Sequence, residues 1–302
     1  MRPIHWPWLL LIAGSMLCSL SRHAAAQGTT VPRVRDSNVG YIDPAIPGNV
    51  LRLRFDAAYD NLRPTRADFF WSVGGTAGDG PSIPESSVDY QDLSVYGEAL
   101  VTPSFSAFVN LPARFLDPEQ NPNTAGMSDM DAGFKRTLID EADMVATFQF
   151  RTYAPTGDVD RGLGNNHVSL EPALLVYKPL GEFWGLEAEL RDWIPIGGTD
   201  LAGNIIRYGV GVHCTALSSC CWQLTPVAEF VGWTVLDGGV SVRQPSGAAI
   251  LEDAAGDTIV NAKLGMRFKY ADQLDLYAGY GRPLTGDSWY LNTIRFELRF
   301  FY

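Results

Sequence analysis

From Asn49 onward the chain is a succession of segments in which apolar and polar side chains alternate over about ten residues before a break intervenes. Twelve such segments lie near residues 50–59, 90–101, 105–116, 129–139, 143–154, 166–179, 183–195, 203–217, 221–235, 258–271, 274–284 and 288–302. Successive side chains of a strand point to opposite faces, so each segment carries one apolar and one polar row. The last is the plainest: Ile294, Phe296, Leu298 and Phe300 fall on one side, and Thr293, Arg295, Glu297 and Arg299 on the other. A terminus frays unless something ties it down. A final strand this regular calls for a partner, and the first segment is the natural one.

The breaks carry a second pattern, alternating long and short. About thirty residues follow the first segment, then Thr102-Pro103-Ser104; 117–128 precedes Asp140–Ala142; Pro155–Asn165 precedes Gly181-Glu182; Ile196–Ala202 precedes Ser218–Cys220; Asp237–Asp257 precedes Asp272-Gln273. A soluble sandwich has no reason to put every long connection on one side. Outer-membrane barrels do, with short periplasmic turns, long outer loops and an even strand number. The sequence therefore predicts an all-β fold, a transmembrane antiparallel up-and-down β-barrel of about twelve strands over residues 49–302, closed by the last strand on the first. No apolar run of 18 residues follows residue 26, so strands, not helices, are the available way across a bilayer.

Residues 1–26 stand outside that fold. Arg2, the apolar run from Trp8 to Leu20, and Ala24-Ala25-Ala26 before Gln27 have the layout of a signal peptide, which implies export to the outer membrane of a Gram-negative-type bacterium. Cys18 invites a lipoprotein reading, but Leu17 stands where a small residue would precede a lipidated cysteine. Residues 27–48 carry Pro32, Pro44 and Pro47 without sustained alternation, and read as an extended periplasmic leader or a small plug. Removing residues 1–26 takes the formal charge from −11 to −13, which argues against nucleic acid as a partner.

The two rows of each strand can be assigned, because a midplane Arg or Lys facing lipid costs about 2–4 kcal/mol. In 258–271, Val260, Ala262, Leu264, Met266, Phe268 and Tyr270 face lipid, and Asn261, Lys263, Arg267 and Lys269 the lumen. The same logic sets Leu51, Leu53, Phe55 and Ala57 against Arg52, Arg54 and Asp56, and Trp184, Leu186, Ala188 and Leu190 against Glu187, Glu189 and Arg191. The expected lumen lining is Arg52, Arg54, Glu187, Glu189, Arg191, Glu229, Lys263, Arg267, Arg295, Glu297 and Arg299. Where the first and last strands meet, Arg52, Arg54, Arg295 and Arg299 should converge and attract anions. Phe183, Trp184, Trp222, Tyr270 and Tyr302 are expected in an inner aromatic girdle, and Tyr59, Tyr153, Trp193, Trp233 and Trp289 in an outer one.

Cys214, Cys220 and Cys221 fall within eight residues. Export permits a disulfide from Cys214 to Cys220 or Cys221 across a hairpin; free thiols are the alternative. The spacing lacks the second ligand cluster of a zinc site, and no metal is expected.

Between Ser128 and Leu180 the chain carries Asp129 to Lys135, Pro155-Thr156-Gly157-Asp158, Gly162-Leu163-Gly164, and Pro172 to Leu175. With these residues the stretch resembles the outer-membrane β-barrel family of the MetA-type phenol-degradation pathway. The chain from Val39 onward is also similar to exported proteins of planctomycete-type bacteria. The resemblance implies a barrel that transports small molecules, aromatic or hydrophobic ones among them. The terminal Phe300 and Tyr302 resemble the carboxy-terminal signal by which such barrels are recognised for insertion.

Covalent chemistry finds little footing. His167 and Ser169 share a strand face, and a His-x-Ser pair near the outer rim resembles that of outer-membrane phospholipases. Leu170-Glu171-Pro172 departs from that family's Ser-Asn-Gly continuation, however, and the pair faces the lumen rather than lipid. Asp158 and Asp160 are two carboxylates without the longer oxygen series of a calcium loop. Gly162-Leu163-Gly164 lacks the strand-to-helix setting of a phosphate cradle.

The expected function is a passive or facilitated outer-membrane channel for small molecules. Its expected partners are outer-membrane lipid, the barrel-assembly machinery and a small-molecule solute, and no cofactor, catalytic residue or covalent step is assigned. A closed structural or surface-interaction barrel, stiffened by interlocked lumenal charges, is the alternative; a lipase using His167 and Ser169 is the third reading.

Overall fold

The computed structural model describes residues 37–61, 80–81, 85, 87–198, 201–243, 246, 249–271, 273–286 and 288–302. The expected signal peptide, with Cys18, and residues 27–36 lie outside the described residues. The strands are β1 (Val50–Asn61), β2 (Val88–Thr102), β3 (Phe105–Pro118), β4 (Thr124–Met127), β5 (Met130–Glu141), β6 (Met144–Ala154), β7 (Val168–Leu180), β8 (Trp184–Ile196), β9 (Ile205–Cys214), β10 (Leu217–Ser218), β11 (Trp222–Val235), β12 (Gly239–Arg243), β13 (Ala249–Asp253), β14 (Thr258–Tyr270), β15 (Leu274–Pro283) and β16 (Asn292–Phe301).

Twelve of these, β1, β2, β3, β5, β6, β7, β8, β9, β11, β14, β15 and β16, pair antiparallel in chain order into a ring. The ring shuts where β16 meets β1, in unbroken register from Val50↔Phe301 to Tyr59↔Asn292. That pairing ties down the terminal strand and removes both sheet edges. β4 lies on the outer part of β3, and β10 folds back on β11. The outer connection after β11, which reads as a loop in the sequence, contains the separate hairpin β12–β13. Register shifts occur near strand ends, at Ala58/Asn61, Leu100/Thr102 and Thr137/Ile139, where bulges bend a wall toward its rim.

The faces are inverted relative to a soluble protein. Leu190 is 54% exposed while the adjacent Arg191 is 2% exposed. Leu51, Leu53, Phe55, Phe230, Phe296 and Phe300 likewise project outward, and Arg52, Glu187, Glu229, Arg267 and Glu297 are buried inside. An apolar exterior around a charged interior is the distribution a bilayer selects.

Candidate functional site

All eleven charged residues singled out from the sequence lie on the lumenal face of the wall, and each has a partner there or in a connecting segment, Glu187 accepting from Ser37 and Asn38 and Lys263 donating to Tyr290 at 2.7 Å. Arg54 donates two hydrogen bonds to Glu297, at 3.0 and 2.8 Å. Arg295 forks onto its cross-strand neighbour Asp56 at 2.5 and 2.7 Å. Arg299 and Arg267 both reach Asp275, at 2.5 and 2.6 Å. Arg52 lies 3.8 Å from Glu297 and stacks over Tyr96. The arginines do gather at the β1/β16 seam, and Asp56, Asp275 and Glu297 meet them at contact distance, where the opposing charge acts most strongly; with Arg267 sharing Asp275 and Glu297, five guanidinium groups face three carboxylates there.

Much of the network serves residues 37–48. Ser37 donates its hydroxyl to Glu187 at 2.6 Å, and the backbone N–H of Asn38 bonds the same carboxylate at 3.0 Å. Glu229 accepts the N–H groups of Gly40, Tyr41 and Ile42 at 3.1, 2.8 and 3.1 Å. Glu189 accepts that of Asp43, and Glu98 that of Gly48. The carbonyls turn to cations: Arg299 donates to Ser37, Arg267 to Asn38 and Val39, Arg295 to Gly40, and Arg207 to Tyr41. Asp43 is a hub that accepts from Arg151 at 2.6 Å, Arg191 at 3.0 Å and Gln149 at 3.0 Å. The contacts move from the inner third of the wall at Ser37 to mid-barrel at Tyr41–Asp43, and back toward the inner end at Gly48. The segment is a loop pushed into the lumen from the mouth that carries the short strand connections. Side chains rather than a strand ladder meet its backbone polar groups, which burial obliges to find partners.

Val39, Tyr41 and Ile42 pack with Val227, Val231 and Tyr277 as an apolar cluster inside the barrel. Close approach has a local cause. A Cβ on Gly209 would lie 2.4 Å from Ile42 Cγ2, and one on Gly211 would lie 2.7 Å from Val39 Cγ1. The two glycines of β9 therefore make room for the loop.

Beyond the loop's apex an outer cavity of about 330 Å3 opens among Tyr41, Tyr153, Trp193, Trp233, Trp289 and Tyr290, with Arg207, Lys263 and Arg295 at its base. On the other side a cavity of about 640 Å3 lies between the loop's Pro44, Ile46 and Pro47 and the inner mouth. A polar gap of about 90 Å3 lies beside the apex, between Asp43 and Arg54. Four of the five residues expected in the outer lipid girdle are thus inside: Tyr153, Trp193, Trp233 and Trp289 line the lumen, and only Tyr59 projects outward. Parity is the physical reason, and it was available in the sequence: Tyr153 is two residues from Arg151, Trp193 two from Arg191, and Trp233 four from Glu229. At the inner end Trp184, Trp222, Tyr270 and Tyr302 project outward and Phe183 is half-buried.

The remaining candidates separate. Cys220 and Cys221 are exposed free thiols, so the cross-hairpin disulfide from Cys214, which the spacing allowed, is not formed; Cys214 is buried at the end of β9. His167 and Ser169 are buried on the lumenal side, and among the described residues the Ser169 hydroxyl has no hydrogen-bond partner, so no described base meets it. Asp158 and Asp160 are exposed around the short 3-10 turn Val159–Arg161. Asp129, by contrast, has a defined task. It accepts the N–H groups of Gly157 and Asn165, both at 2.9 Å, while Thr156 Oγ1 accepts that of Met130. The motif residues Asp129, Pro155–Asp158 and Gly162–Gly164 therefore meet as a brace for one outer loop. Glu98, Asp131, Glu171 and Asp275, absent from the expected lining, complete the network.

No family model matches the chain, and no curated protein matches it. Among solved structures it is similar to the COG4313 outer membrane channel from Pseudomonas putida F1, at 13% identity over 88% of this chain and 100% of that one, with a TM-score of 0.57. It is similar also to the KdgM porin, at 6% identity over 84% and 99% with a TM-score of 0.45, and to LpxR from Salmonella typhimurium, at 9% over 83% and 100% with a TM-score of 0.45. At 13% identity the likeness to the first of these is one of fold, and with the closed twelve-stranded ring it establishes that this chain is built as an outer-membrane-type β-barrel.

Proposed function

We propose that the protein is an outer-membrane channel for small molecules whose lumen is occluded at rest by residues 37–48. The observation that carries this reading is the pair of cavities, one at each end of the lumen, divided by a single segment that no strand pairing holds. A barrel evolved only for stiffness gains nothing from an aromatic vestibule above a removable loop. Tyr, Trp and cationic side chains around that vestibule suit small solutes with a flat apolar face, since such rings stack and cations lie over them. The fold of a known outer-membrane channel is compatible with the same role, as an argument from analogy. Insertion by the assembly machinery through the strand that ends at Phe300 and Tyr302 belongs to the same proposal.

Conductance in planar bilayers tests it. Full-length protein should give small, infrequent current steps, and deletion of Ser37–Pro47 should give larger and sustained ones. Silence from both, with heat-modifiable migration showing that both are folded, would assign the closed structural barrel instead. The dense ion-pair network favours that second reading.

A further inference from the structure

The turn between β10 and β11 carries two adjacent cysteines for which the channel has no use. Ser219 N–H donates to the Trp222 carbonyl at 2.9 Å, closing the four-residue turn Ser219-Cys220-Cys221-Trp222. Neighbouring side chains on a strand would point apart; this turn brings both sulfurs to one side, 3.0 Å from each other. Both residues are exposed, and they border the inner cavity of about 640 Å3 with Pro44, Pro47 and Lys269. The pair is also asymmetric. A hydrogen bond from Cys221, aided by one from Ser219, holds the Cys220 thiol below its ordinary value, while the same contact raises Cys221. One sulfur is therefore readier to attack and the other readier to resolve.

We infer that Cys220 and Cys221 form a reversible thiol–disulfide exchange site at the periplasmic mouth, open to a low-molecular-weight disulfide. The Cys220 thiolate attacks one sulfur of a donor R–S–S–R. The donor's S–S bond breaks, one thiolate leaves and takes up a proton, and a mixed disulfide joins Cys220 to R. Cys221, having given its proton to solvent, then attacks Cys220 Sγ. The second RS− leaves and is protonated, so the two cysteines have lost two electrons and the donor has become two thiols. Adjacent Cα atoms stand about 3.8 Å apart, closer than the roughly 4.4–6.8 Å that disulfides usually span. The ring is consequently strained and easily reduced, which makes it a labile pair rather than a staple. Its place in a turn beyond the barrel ladder lets that strain fall outside the wall.

The test uses the full-length folded protein in detergent, incubated with oxidised glutathione over a series of oxidised-to-reduced ratios, blocked with N-ethylmaleimide and analysed by peptide mass. The expected product is a peptide containing Cys220 and Cys221 that has lost two hydrogens, escapes alkylation at both sulfurs, and reverts with reduced glutathione. Cys221→Ser should trap the Cys220–glutathione adduct as a mixed disulfide that cannot resolve into the internal ring. Both Cys221→Ser and Cys220→Ser should keep the heat-modifiable migration of the parent. Double alkylation at every ratio, or disulfide-linked dimers in place of the internal ring, would overturn the inference.

Discussion

Glu229, midway along β11, accepts the backbone N–H of Tyr41 at 2.8 Å, and the same carboxylate holds those of Gly40 and Ile42. One wall side chain thus anchors three consecutive peptide groups of the lumenal loop. Hydrogen bonds to a charged group are worth about 1.5–3 kcal/mol each. Glu229→Gln keeps one acceptor oxygen and loses the charge and the second oxygen, so the loop should open more often. Hydrogen exchange at residues 40–42 should quicken by about tenfold or more, one decade per 1.4 kcal/mol, and bilayer openings should become more frequent. Unchanged protection at those amides would mean that Glu229 does not hold the loop.

The Asp56–Arg295 pair tests the seam. These residues face each other across β1 and β16, with side chains 19% and 12% exposed. Partial access to water softens the loss, so Asp56→Ala should cost about 1–3 kcal/mol, below the 3–5 expected for a fully buried pair. The readout is the temperature at which the folded gel band disappears. Exchanging the two residues should recover part of the loss but not all, because Arg295 also donates to the Gly40 carbonyl. A swap no better than the single change would remove the pair from the account of closure.

Facing residues of β14 should fail in different ways. Leu264→Arg places a cation in hydrocarbon at a cost of about 2–4 kcal/mol and should deplete the heat-modifiable band. Arg267→Leu removes the donor to Asn38, Val39, Asp275 and Glu297, so the barrel should assemble with a loosened lumenal loop, seen as faster exchange at Asn38–Gly40. Loss of assembly in Arg267→Leu alone would reverse the order of importance of the two faces.

Asp129→Ala should act on one outer loop and leave the barrel alone. Without the acceptor for Gly157 and Asn165, proteolysis of intact cells should nick the chain within Pro155–Asn165, while the melting of the folded band stays within about 0.5 kcal/mol of the parent, the range of changes remote from a core. Resistance equal to the parent's would show that the loop is braced elsewhere.

Strand number, closure and the two faces were legible because they depend on one periodicity. A side chain two residues from Arg191 faces the same way as Arg191 whatever surrounds it, and a bilayer punishes the opposite choice on every strand at once. The same parity would have turned Tyr153, Trp193 and Trp233 inward, where an expectation about interfacial aromatics sent them to lipid. The brace built on Asp129 was visible only as a string of turn residues, since nothing local says that a carboxylate before β5 meets amides 28 and 36 positions on.

The lumenal loop marks the boundary. Residues 37–48 have no period, and their prolines fit a tail as well as a plug. What places them is the meeting of Asp43 with Arg151 and Arg191, 108 and 148 positions away, and of three peptide groups with Glu229. Such contacts exist only once the ring has closed and set its charges facing inward. The amino-acid sequence by itself determined a barrel with a charged interior, through alternation that each strand carries alone. Which charges pair, and whether the interior stands open, was decided by tertiary structure, because buried charges and peptide groups must find partners among whatever the closed wall brings within reach.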